Sequence, residues 1–207
     1  MTIPWRTAVV LPLVLALCRS TGAEGALKPG DAIPMRETKM EKVDGRMLSI
    51  GEIAGKKGTL VIFACNHCPF VKAWEKRMTA IGNESMKKGV GVIVINANDV
   101  AAYPTDDMTH MKEQAKAAGF EFPYVMDATS DVAHAFGAGR TPEAFLFDTA
   151  GRLIYHGAID DNAHQPDKVQ KRYLEDALNA LLAGRDISVK ETRSVGCSIK
   201  FRETNSQ

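Results

Sequence analysis

Cysteine is scarce in this chain: Cys18, Cys65, Cys68 and Cys197 are the only four in 207 residues. A structural zinc site would need two further ligands at similar spacing beside Cys65 and Cys68, and neither a second Cys-x-x-Cys nor a following His-x-x-x-His is present. An excess of one charge is also missing. The 26 Lys and Arg stand against 25 Asp and Glu, so nothing draws the chain to nucleic acid or to an anionic membrane surface. No internal repeat, linker or low-complexity tract appears. Nor does any apolar run reach the roughly 20 residues that cross a bilayer. What remains is an ordinary composition, 45% hydrophobic and 25% charged, as expected of one soluble domain with some decoration.

The first residues read as a targeting segment and not as part of the fold. Arg6 supplies a positive start, Ala8 to Leu17 is apolar and broken only by Pro12, and Thr21-Gly22-Ala23 offers small residues for cleavage. Residues 1–23 are therefore expected to be a signal peptide, too short in its apolar part to remain as an anchor. Leu15-Ala16-Leu17-Cys18 has the outline of a lipoprotein box, but Leu17 is too large for the position before the cysteine. The expected mature protein is exported, to the periplasm or another extracytoplasmic space, without membrane insertion. It keeps Cys65, Cys68 and Cys197 where disulfides persist.

The chemistry is concentrated at Leu60 to Lys72. Leu60-Val61-Ile62-Phe63-Ala64 is apolar without alternation, which predicts a central strand covered on both faces. Cys65-Asn66-His67-Cys68 follows, and Pro69 suits the first turn of a helix, where its missing N–H costs nothing. Val71, Trp74, Met78 and Ile81 then recur at helical spacing. Cys65 thus stands where a buried strand hands over to a helix N-terminus, whose free N–H groups and dipole favour a thiolate. On this reading Cys65 attacks a substrate sulfur, Cys68 resolves the mixed disulfide, and His67 tunes the potential by pairing with the thiolate. Phe70 and Trp74 are expected in the core, with Phe70 able to line the substrate surface.

Further along, Val90 to Asn96 is a second continuous apolar strand, and Asn96, Asn98 and Asp99 end it. Thr105 or Asp106 is expected to cap a helix running to Ala118 and closed by Gly119. Phe122 to Met126 reads as a short strand, and a helix follows through Phe136. Ala144–Asp148 and Arg152–Gly157 read as a hairpin, and Asp167 to Ala183 as an amphipathic helix. The order strand, helix, strand, helix, strand, helix predicts a parallel α/β core.

This order, with Cys-x-x-Cys after the first core strand and Thr141-Pro142 before a terminal hairpin, resembles the thioredoxin fold. More closely, it is similar to the alkyl hydroperoxide reductase/thiol-specific antioxidant superfamily and to extracytoplasmic thioredoxin-like reductases. The pieces that carry the likeness are the Asp44-Gly45 hairpin, Gly55 to Phe63, Cys65-Asn66-His67-Cys68-Pro69-Phe70-Val71-Lys72, Asp148 to Arg152 and Val195-Gly196-Cys197-Ser198-Ile199-Lys200. The last resembles the tail of bacterial redoxin-domain proteins bearing Cys-Asn-His-Cys-Pro. The resemblance implies a central mixed sheet flanked by helices, with an N-terminal hairpin extension, over residues 27–186, and a tail over 187–207. It also implies a cis peptide before Pro142, with Thr141 facing the sulfurs and presenting the substrate. Arg140 is a candidate for lowering the thiolate pKa or a plain surface residue.

One departure separates the chain from the peroxidase branch. Those enzymes carry Pro-x-x-x-Thr/Ser-x-x-Cys, whereas Ile62 and Gly58 precede Cys65 at these spacings, and Cys65 and Val61 precede Cys68. The function expected is therefore thiol–disulfide exchange through Cys65 and Cys68, with a thiol peroxidase as the first alternative. A copper-binding or copper-delivery module is the second, using the pair with a distant His among His110, His134, His156 and His164. No organic cofactor and no metal is expected; the partners are thiols or disulfides, protein or small, and a protein that gives or takes electrons. Cys197 is a candidate third redox thiol or a structural one.

Overall fold

Every residue of β3 (Gly58–Phe63) is buried, so both faces of this strand are covered. The same holds for β4 (Val90–Asn96), which lies parallel to it. These two strands are the centre of the fold in a computed structural model that describes residues 25–202. The expected signal peptide, with Cys18, lies outside the described residues. Around the central pair the chain runs β1 (Met40–Lys42), β2 (Met47–Leu48), β3, α1 (Pro69–Lys87), β4 and α2 (Met108–Ala118). It continues through β5 (Tyr124–Met126), α3 (Asp131–Phe136), β6 (Arg140–Thr141), β7 (Glu143–Phe147), β8 (Leu153–Gly157), α4 (Tyr173–Leu182) and β9 (Cys197–Ser198).

Seven strands form one sheet in the order β2-β1-β5-β4-β3-β7-β8. The β3–β4 and β4–β5 pairs are parallel, while β3–β7, β7–β8 and β1–β5 are antiparallel. The sheet is thus mixed, a parallel centre closed by a hairpin on one side and the Asp44-Gly45 hairpin on the other. Alternation divides the apolar strands between two layers. Leu60, Ile62, Val92, Val94 and Leu146 face α1 and α4, where Val71, Trp74, Met78, Leu174 and Leu178 meet them. Val61, Phe63, Ile93, Ile95 and Phe145 face Val132 and Phe136 of α3. Each such side chain contributes about 1.5–3 kcal/mol by leaving water. Cys65 and Cys68 belong to the first layer, at the end of β3.

Two expectations are corrected by hydrogen bonding. Asp107, and not Thr105 or Asp106, caps α2: its carboxylate accepts the His110 N–H at 2.9 Å. Pro104–Asp106 forms a separate 3-10 turn that aims Asp106 inward. The helix expected from Asp167 begins only at Tyr173. Before it, Pro166–Lys168 makes a separate 3-10 turn, and the Gln170 N–H bonds to Asp161 Oδ1 at 3.0 Å and the Asp161 N–H to the Lys171 carbonyl at 3.2 Å, which ties the residues between turn and helix across to a loop.

Candidate functional site

The end of β3 and the start of α1 place both sulfurs of the motif. Cys68 is the residue before the first turn of α1, with Pro69 next, and the first turn carries no acidic side chain. Both cysteines are almost sealed, Cys65 at 1% exposure and Cys68 at 0%. They are free thiols in contact with each other. Thr141 of β6 faces them: its hydroxyl is 3.5 Å from Cys65 Sγ, and its carbonyl accepts from Cys68 Sγ at 3.1 Å. The Thr141–Pro142 peptide bond is cis.

The pair ionises as a unit because each sulfur acts on the other. Their mutual hydrogen bond, then burial, and then the Asp106 carboxylate push the Cys65 thiol up. The same sulfur–sulfur bond pulls Cys68 down against the cost of burial, helped by Cys197, Thr141 and the Val71 N–H at the head of α1. The Thr141 carbonyl works the other way, since it needs a proton on Cys68. One sulfur therefore loses its proton readily while the other keeps a shared one. The charge is not confined to Cys65, as position in the motif alone indicated.

Asp106 is the site residue that sequence reasoning missed. It is completely buried, and its Oδ1 accepts the Asn66 N–H at 2.7 Å. Its Oδ2 takes Asn98 Nδ2 at 2.8 Å and pairs with His67 Nδ1 at 2.6 Å. Asn96 Nδ2 reaches the Asp106 carbonyl at 3.2 Å, so the polar end of β4 serves to hold this turn. The Tyr124 hydroxyl donates to Asn66 Oδ1 at 2.9 Å. The His67 ring lies flat on Tyr103, with centroids 4.9 Å apart, and is partly exposed. Nothing in the spacing Pro104-Thr105-Asp106 signals an inward carboxylate, because it depends on a turn that folds back beneath the motif.

The remaining expected residues fall into place around this centre. Phe70 is half-buried between Trp74 and His164. Trp74 is core, its Nε1 donating to Asp160 at 2.8 Å, while Arg77 pairs with the same carboxylate. Arg140 is exposed and its guanidinium reaches the Gly196 carbonyl at 3.3 Å. Cys197 lies opposite Thr141 in the two-stranded β6–β9 ribbon. His156 bonds to Glu143 at 2.7 Å, His110 pairs with Asp107, and His134 stacks on Phe201, all apart from the sulfurs. Cys65, His67 and Asp106 offer ligand atoms within 4.8 Å of one another, a grouping able to hold a metal. A metal there would have to displace the His67 and Asn98 hydrogen bonds to Asp106.

An open groove lined by Asn66, His67, Lys72, Glu75, His110 and Gln114 leads to the motif. A more enclosed cavity between α1 and α4, lined by Arg77, Ile81, Leu178 and Leu182, is remote from the chemistry.

Comparison with known proteins bears on the fold and the family. The chain superposes on an uncharacterized conserved protein from Geobacillus kaustophilus with a TM-score of 0.79 and 35% identity, covering 86% of this chain and 94% of that one. It also superposes on a thioredoxin-like protein solved in its oxidised form, with a TM-score of 0.62 at 19% identity over 77% of this chain and 100% of that one, which establishes the thioredoxin-like fold. A curated relative is the thiol-disulfide oxidoreductase ResA of Halalkalibacterium halodurans, 25% identical over 115 residues, 56% of this chain. The match spans 61% of that relative's length. The family model described as Redoxin matches residues 28–174, and the chain belongs to the redoxin family.

Proposed function

We propose that the protein is an exported thiol–disulfide oxidoreductase that cycles Cys65 and Cys68 between dithiol and disulfide. The observation that carries this reading is the pair itself: two free thiols coupled to each other at the head of α1, with Thr141 touching both. Cys65 passes its proton to Cys68 and attacks a substrate disulfide as the thiolate, forming a mixed disulfide and releasing one substrate thiolate, which takes up the proton from Cys68. Cys68 then attacks Cys65 Sγ, closing the Cys65–Cys68 disulfide and releasing the second. His67, held by Asp106 and Tyr103, is a positioning residue beside the pair. The partners are protein or small-molecule thiols and disulfides, with an electron-donor or acceptor protein to reset the pair. No cofactor other than the disulfide enters these steps. Export rests on the apolar segment Ala8 to Leu17 and the small residues Thr21 to Ala23; among the described residues no helix is long and apolar enough to cross a membrane.

The decisive experiment titrates the purified protein against glutathione and maps the disulfide by mass spectrometry. One two-electron transition with a Cys65–Cys68 link is expected. Because the reduced pair is stabilised as a thiolate, its potential should lie on the oxidising side of about −270 mV, towards about −120 mV. Failure to form that link at any poise would sink the reading. A thiol peroxidase is the second reading, favoured by one observation. The sequence supplies no hydroxyl three residues before either cysteine, yet the Thr141 hydroxyl arrives beside Cys65 from β6. Peroxide-dependent turnover of the same preparation separates the two.

A further inference from the structure

The last segment of the chain crosses the thiol pair and is anchored on both sides of it. Upstream, the Thr192 N–H donates to the His156 carbonyl at 3.0 Å and Ser194 Oγ donates to Glu143 Oε1 at 3.0 Å. Downstream, the Ile199 N–H donates to the Gly139 carbonyl at 3.1 Å and the Lys200 N–H to Asn98 Oδ1 at 2.8 Å. Between these anchors β9 pairs antiparallel with β6, and Cys197 stands opposite Thr141. Gly196 permits the approach, since a Cβ there would meet the Thr141 carbonyl oxygen at 2.1 Å. An extended strand carrying a cysteine thus lies on the strand whose Thr141 touches both buried sulfurs. The Cys197 thiol is close enough to Cys68 for each to shift the ionisation of the other. Of these three sulfurs only that of Cys197 belongs to a residue with appreciable exposure.

We propose that this tail is a tethered substrate strand, and that Cys197 is the outward sulfur of a three-cysteine relay through which low-molecular-weight thiols reduce the buried pair. The proposal rests on the reading of Cys65 and Cys68 as a redox pair. Starting from the Cys65–Cys68 disulfide, the Cys197 thiolate attacks Cys68 Sγ. The Cys68–Cys197 bond forms, the Cys65–Cys68 bond breaks, and Cys65 leaves as a thiolate with no net oxidation. An external thiolate then attacks Cys197 Sγ, releasing Cys68 as a thiolate. A second external thiolate removes the first from Cys197 as a small disulfide. The protein gains two electrons, two small thiols lose them, and protons exchange with solvent at each sulfur.

The protonation of Cys197 follows the same logic. In the reduced protein it is pushed up to about 11, by burial first and then by its hydrogen bond to Cys68 and the charge there. Both contributions of Cys68 require its thiolate, so they vanish once Cys68 enters a disulfide. Cys197 is held protonated while the pair is reduced and is freer to ionise when the pair is oxidised.

The test uses Cys65→Ser, Cys197→Ser and the double variant Cys65→Ser/Gly196→Val in the full chain, with glutathione as the probe. Samples equilibrated with glutathione disulfide are acid-quenched, alkylated, digested and mapped by mass spectrometry. Cys65→Ser should form an internal Cys68–Cys197 link, and the added Gly196→Val should cut it at least about tenfold by displacing the tail, since the link depends on effective concentration. Oxidised Cys197→Ser should be reduced by glutathione roughly tenfold or more slowly than the unaltered protein. Glutathione adducts without an internal link in Cys65→Ser, or reduction of Cys197→Ser at the unaltered rate, would overturn the relay. If Cys197→Ser formed no Cys65–Cys68 disulfide, the redox-pair reading would itself fall, a different result from failure of the relay alone.

Discussion

Among the described residues no Lys or Arg pairs with Asp106; its carboxylate is balanced by hydrogen bonds from Asn66 and Asn98 and by the His67 ring. Removing such a charge changes both the sulfurs and the fold. Asp106→Asn deletes a negative group that raises Cys65, so the thiolate titration of the pair should move to lower pH, followed by ultraviolet absorbance. It also places an amide where acceptors are needed, at a cost of about 1–3 kcal/mol in chemical denaturation. An unchanged thiolate titration in a folded variant would show that Asp106 does not act on the pair. Cys65 and Cys68 were legible in the sequence because strand and helix start are local patterns, whereas the turn that brings Thr141 to them was implied only by the resemblance to the thioredoxin fold. Asp106 was not legible, since an Asp after Pro and Thr is equally a cap, and only the 3-10 turn decides which way it points.

At the scale of elements, β3 and β4 were readable as uninterrupted apolar runs because both of their faces are covered. Less readable is how closely the loop before β3 approaches β4. The approach occurs at Gly91, where a Cβ would stand 1.8 Å from the Ile53 carbonyl oxygen, a backbone atom that cannot rotate away. Gly91→Ala should therefore cost about 1–3 kcal/mol through forced displacement of that loop, read as a lower urea midpoint with an unchanged slope. A midpoint equal to the unaltered protein would mean that the loop moves freely. The expected helix from Asp167 illustrates the opposite error. Its apolar spacing was real, but a 3-10 turn at Pro166–Lys168 and the bonds joining Asp161 with Gln170 and Lys171 keep its first residues out of the α-helix. The β6–β9 ribbon was illegible for a simpler reason: two-residue strands are specified by what they meet, not by their own periodicity.

For the whole molecule, the redox state of the pair and the stability of the fold are linked. The reduced pair carries a depressed ionisation at Cys68 and a raised one at Cys65, both set largely by their shared hydrogen bond. An acid depressed in the folded state contributes stability that is fully present above its unfolded pKa, about 8.5 for cysteine, and is lost as pH falls through its folded value. The raised partner acts in the reverse sense, withdrawing stability as pH rises above about 8.5, because the unfolded chain can then ionise it and the folded chain cannot. Together these make the advantage of the reduced form greatest near pH 8.5, still large at neutrality, and lost as pH falls towards about 4 or rises further into alkali. Oxidation removes both ionisations and with them this advantage. The reduced protein should thus resist urea better than the oxidised one near neutral pH, and the difference should shrink in acid and again in alkali. Paired denaturation curves of the two forms across pH measure this directly. A difference that stayed flat with pH would show that the thiolate contributes nothing to the fold and that the oxidising potential expected above has no source in this pair.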